Sequence, residues 1–182
     1  MALSPKDYRS VVREVRKYVP GVRIMIDDWD IFEMLEPGTQ AAFCDQDQTI
    51  ITREPEYYRS KKMLRHVLFH ELAHWAARPG RSGRVGKFTV KMLKKKAKKN
   101  SKKILNTLNH ALEEMVVDAV SYHFCVKSGQ GYNAKTHEQY IHTWAKRGGI
   151  NAIWNKELER YFDNKVKSLI SYITNYRKNN ES

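Results

Sequence analysis

His70-Glu71-Leu72-Ala73-His74 places two imidazoles four residues apart, with a carboxylate directly after the first. The run that holds it, Ser60 to Ala77, reads as a helix. Met63, Leu64, Val67, Leu68, Leu72 and Trp75 recur at helical spacing, and Pro79-Gly80 follows as a stop. Residues four apart on a helix stand one above the other on one face. Both imidazoles can therefore reach a single metal ion at about 2.0–2.1 Å, the usual nitrogen–zinc distance. Glu71 does not ligate in such a pattern. It lies beside the metal-bound water and can take its proton.

A catalytic zinc needs three protein ligands and one open position. The third donor is expected in Leu112-Glu113-Glu114-Met115-Val116-Val117-Asp118, where acids interrupt an otherwise apolar helical span. Glu114 and Asp118, four apart, share a helix face, whereas Glu113 and Asp118 point away from each other. Glu114 is therefore the expected ligand, with Glu113 as the fallback. Asp118 is expected to accept a hydrogen bond from the free N–H of a ligand histidine.

The elements that must position these groups follow from the pattern around them. Ser4-Pro5 opens a first helix, with Tyr8, Val11, Val12, Val15, Tyr18 and Val19 in period and Pro20-Gly21 at its end. Val22 to Ile26 reads as a strand. Asp27-Asp28-Trp29-Asp30 is an acidic turn without the glycine and distal glutamate of a calcium loop. Ala41 to Cys44 and Thr49 to Thr52 read as two strands joined by Asp45-Gln46-Asp47-Gln48, a small sheet whose edge could hold an extended peptide. Ile104 to Lys127 is the helix that bears the acids. Further helices are expected from about Thr136 to Lys146 and from Ile150 to about Tyr176, with a polar tail over 177–182. The fold class is α+β, one domain over residues 1–182.

Composition sets the bounds. A chain of 182 residues with 41% hydrophobic content suits a single soluble globular domain. No apolar run approaches the roughly 20 residues of a membrane span. Two cysteines, Cys44 and Cys125, make no framework, which fits a reducing cytoplasm. The net charge of +13 favours polyanionic surroundings. Ten basic residues and no acid fall between Arg84 and Lys103, and the core of this run is Lys94, Lys95, Lys96, Lys98 and Lys99. Such a run is either a solvated face or a contact to nucleic-acid backbone without sequence preference.

The H-E-L-A-H followed by a helix carrying E-x-x-x-D resembles the glutamate-ligand zincins of the thermolysin type. A more detailed resemblance runs from about Tyr57 to Trp144. His70-Glu-Leu-Ala-His74-Trp75, then Arg78-Pro79-Gly80-Arg81 and Arg84, then Glu113-Glu114-Met-Val, then Tyr140-Ile-His-Thr-Trp144, is similar to the ArdC-type zincin-like metallopeptidase domain. That family occurs on phages and conjugative elements and is linked with antirestriction. A weaker likeness is to the ImmA/IrrE-type peptidases. The single-stranded-DNA-binding domain of the fuller ArdC-type proteins has no counterpart in these residues, and the lysine-rich insert is longer and more basic.

The resemblance implies a compact zincin fold, a Zn2+ cofactor, a protein or peptide substrate and a host cytoplasm. In the implied reaction Glu71 moves a proton from water to the leaving amine. A second oxyanion donor is expected from His110, Tyr122, Tyr140 or His142. The rival readings are a DNA-binding or antirestriction protein that cuts no substrate, and a basic helical adaptor in which the motif is coincidental.

Overall fold

The computed structural model describes residues 2–26, 32, 34, 35, 38–78, 102–129 and 134–180. Among them are three strands and five α-helices, an α+β fold. The order is α1 (Pro5–Arg16), β1 (Arg23–Ile26), β2 (Ala41–Cys44), β3 (Thr49–Thr52), α2 (Lys61–Ala76), α3 (Lys102–Lys127), α4 (Ala134–Arg147) and α5 (Lys156–Asn180).

Ser4 caps α1 by accepting the Asp7 N–H, and Pro5 takes the first helical position. The helix closes at Lys17, short of Pro20. Its apolar stripe, Tyr8, Val11, Val12 and Val15, is buried. The sheet has the order β1-β3-β2, so β2 is an edge strand. β1 runs parallel to β3 with Arg23 opposite Thr49, and β2 runs antiparallel with Ala41 opposite Thr52. The Asp45–Gln48 turn works because Gln48 adopts φ +57° while its amide donates to the Asp45 carbonyl at 2.6 Å.

α2 starts where Ser60 accepts the Met63 N–H at 3.2 Å. Its back face, Leu64, Leu68, Phe69, Leu72 and Trp75, is almost fully buried. Phe69 stacks on Phe124 of α3 at 4.8 Å, and Tyr18 sets its ring edge on both. Trp75 meets Tyr172 and Tyr176 of α5. α2 is therefore held on three sides by α1, α3 and α5. Its remaining side faces the sheet edge and a cleft.

The last helix departs from expectation at both ends. Ile150 fits the apolar period, yet residues Ile150–Ala152 form a separate 3-10 turn. Asn155 then caps α5 by accepting the N–H groups of Glu157 and Leu158. The helix also continues to Asn180, beyond the point where a polar tail was expected. No described helix is long and apolar enough to cross a membrane.

Candidate metal centre

α2 and α3 run antiparallel, so residues later on one meet residues earlier on the other. His74 meets Glu113 and Glu114, His70 meets Glu114, and His66 meets Asp118 and Ser121. Glu114 is 7% exposed and Asp118 0%. Carboxylates so far from water persist only with partners that favour their charge.

The distances describe a preformed donor set. His70 Nε2 and His74 Nε2 lie 3.2 Å apart. Glu114 sets Oε2 3.3 Å from His70 Nε2 and Oε1 3.3 Å from His74 Nε2. Ligands at about 2.0–2.1 Å from a tetrahedral zinc stand roughly 3.3–3.4 Å from one another. Each imidazole nitrogen thus stands at about ligand spacing from the other and from one of the two Glu114 oxygens, and the nitrogen and carboxylate chemistry of the three residues fits zinc.

Around this set the electrostatics are strongly coupled. Burial raises the Glu114 carboxyl, but hydrogen bonds from His70 and His74 outweigh it and hold the group well below the usual range. Burial lowers His74, yet Glu113 and Glu114 more than reverse this and bring it to about 10. Glu71 is pushed up by burial, against the pull of His74 and His70. The Phe43 backbone, on β2, hydrogen-bonds to it, which ties the carboxylate to the sheet edge. A cleft of about 1170 Å³ opens here. Residues 38–43 line one wall, and His70, Glu71, His74 and Glu114 form its floor, with Tyr140 at the side.

The sequence model of the MPTase-PolyVal family, described as zincin-like metallopeptidase, matches residues 28–147, more than half of the chain. The chain belongs to this family. No curated protein and no solved structure matches it. The zincin-like match spans the edge strand, α2, α3 and α4, which together build the cleft.

Two acids meet other histidines than the helix spacing suggested. Asp118 was expected to orient a ligand histidine of the H-E-x-x-H pair. Its oxygens instead meet His66 Nε2 at 3.2 Å and His137 Nδ1 in a short hydrogen bond. Glu113, the fallback ligand, takes the expected orienting place, with Oε1 3.0 Å from His74 Nδ1. The reason is the offset between the antiparallel helices, which sets His74 opposite Glu113 and carries Asp118 a turn further along, to His66.

The four oxyanion candidates also separate. The Tyr140 hydroxyl donates to Glu114 Oε2 at 3.0 Å, with its ring edge toward His70. His110 lines the cleft mouth, 3.8 Å from Glu114 Oε1 and mostly exposed. Tyr122 stacks on His137 at 4.3 Å, outside the cleft lining. His142, two residues beyond Tyr140, points to the other side of α4 and borders a shallow depression with Glu138 and Thr143. Lys94, Lys95, Lys96, Lys98 and Lys99 lie outside the described residues, as does the Asp27–Asp30 turn. Sequence reading passed over His66, Ser121 and His137. His66 carried a legible signal, because it continues the spacing of His70 and His74 by one more turn.

Proposed function

We propose that this zincin-like chain is a zinc-dependent peptidase, with His70, His74 and Glu114 as ligands and Glu71 as the general base. The observation that carries the reading is the 3.2–3.3 Å spacing among the three donor groups, with Glu71 beside them on the cleft floor. A zinc ion bound there supplies Lewis-acid polarisation of the scissile carbonyl and a lowered water pKa.

The chain's own residues do the rest. An extended substrate pairs with the backbone of β2, the edge strand that walls the cleft. The burial that raises Glu71 matches it to accept a proton from water and pass it to the leaving amine. Tyr140 holds Glu114 by its hydroxyl. In the same position that hydroxyl can turn to the developing oxyanion. The Tyr140-Ile-His-Thr-Trp144 element falls on α4, the helix that carries this hydroxyl; the ArdC-type resemblance of these residues is the ground for proposing a phage or mobile-element setting.

The test is cleavage of an unstructured protein such as casein by the zinc-loaded chain. Glu71→Gln should lose cleavage while keeping its zinc. Zinc retained by wild type with no cleavage of any peptide pool would overturn the peptidase reading. It would leave the rival, a nucleic-acid-binding or antirestriction protein, supported by the ten basic residues between Arg84 and Lys103. On that reading DNA affinity falls steeply with salt, and glutamine at Lys94, Lys95, Lys96, Lys98 and Lys99 flattens the slope.

A further inference from the structure

The helix register that brings His70 onto Glu114 repeats one turn along. His66 precedes His70 by four residues on α2, and Asp118 follows Glu114 by four on α3. On antiparallel helices these two must also meet, and His66 Nε2 lies 3.2 Å from Asp118 Oδ1. That separation equals the spacing of the donors in the first site.

The protonation pattern of the pair follows from its neighbours. The Ser121 hydroxyl donates to the His66 backbone carbonyl at 2.7 Å, so its oxygen is left to accept from His66 Nδ1, 2.8 Å away. The Nδ1–H tautomer puts the imidazole lone pair on Nε2, facing the carboxylate. The carboxylate is equally constrained. His137 hydrogen-bonds Asp118 Oδ2, while Oδ1 is fully buried and makes no hydrogen bond among the described residues. The geometry thus sets an imidazole nitrogen 3.2 Å from a fully buried carboxylate oxygen whose hydrogen bonding is incomplete.

We infer that His66 Nε2 and Asp118 Oδ1 hold a second divalent cation, distinct from the one the peptidase reading places on His70, His74 and Glu114. Both donors already have outer partners of the kind that orient metal ligands, Ser121 behind the imidazole and His137 behind the carboxylate. His66 lines the cleft, which gives the ion an entry path. One ligand atom from each of His66, His70 and Asp118 lies within 4.8 Å of the others, so the new site borders the first. Nitrogen and carboxylate donors select an ion of the zinc class. The two donor sets stand one helical turn apart along α2 and α3, about 5.4 Å of backbone rise. The second ion therefore acts as a brace. It ties α2 to α3 and, through Asp118 and His137, steadies α4, the helix that carries Tyr140.

The experiment counts metal. The full chain is stripped with a chelator, titrated calorimetrically with Zn2+, and its bound zinc is measured after buffer exchange. Wild type should bind two zinc ions, and His66→Ala, Asp118→Asn and His74→Ala one each. Asp118→Asn is isosteric, so it serves if the alanine variant does not fold. A single zinc in wild type, removed by His74→Ala, overturns the second site and leaves the first standing. No zinc in wild type overturns both. Two zinc ions in both His66→Ala and Asp118→Asn place the second ion elsewhere and also overturn the inference.

Discussion

Replacing Glu113 by alanine separates a residue that orients a ligand from one that ligates. Glu113 Oε1 stands 3.0 Å from His74 Nδ1, on the side of the ring away from the nitrogen that faces His70 and Glu114. Losing an outer partner of this kind typically weakens metal binding by about 10–100-fold, or about 1.4–2.7 kcal/mol. The Glu113 side chain is 24% exposed, so water can take over part of the hydrogen bond. The lower part of that range is expected, about 10–30-fold. Glutamine keeps the acceptor oxygen and loses the charge, and a neutral hydrogen bond is roughly half as strong. Glu113→Gln should therefore cost only about three- to fivefold. Competition against a chromophoric zinc chelator at fixed pH measures both, with Glu114→Ala as the variant that removes a proposed ligand. Wild-type affinity in Glu113→Ala would refute the orienting role. A loss as complete as that of Glu114→Ala would show that Glu113 ligates the metal.

Three further outcomes follow from the geometry. With its pKa raised to about 10, His74 is protonated at neutral pH in the metal-free chain. Metal uptake must then release about one proton, and affinity should rise with pH through the neutral range; calorimetry in buffers of different ionisation heat reads this, and no proton release would contradict it. Arg65 is nearly buried and makes two hydrogen bonds, at 2.8 and 2.6 Å, to the part-exposed Glu14. Glu14→Ala removes the carboxylate from beside that guanidinium and should cost about 3 kcal/mol, seen as a thermal midpoint lower by about 6–12 °C. A Cβ at Gly148 would sit 2.3 Å from the Ala111 Cβ, so Gly148→Ala should push the end of α4 off α3 and cost about 1–3 kcal/mol in chemical denaturation.

Local signals made much of this architecture legible. Ser60 and the apolar spacing after it marked α2 nearly to the residue, and Asp45-Gln46-Asp47-Gln48 marked the turn between β2 and β3. Spacing along one helix also told which acids share a face. It could not tell which α2 histidine each acid meets, because that depends on the offset between two packed helices. For this reason it did not show that His74 meets Glu113 while Asp118 meets His66. Ile150 misled for a related reason. Apolar periodicity carries across a short break, and only the cap at Asn155 reveals that α5 begins later.

The division of donors between α2 and α3 has a consequence for synthesis. From Leu72 to Leu112 the chain contains no aspartate and no glutamate. A nascent chain therefore carries Glu71 and both histidines of the motif long before it can supply a carboxylate to complete the set. On the proposed chemistry, a product that stalls on the ribosome anywhere in that interval is inert, and cutting power is acquired only once translation has passed Glu114.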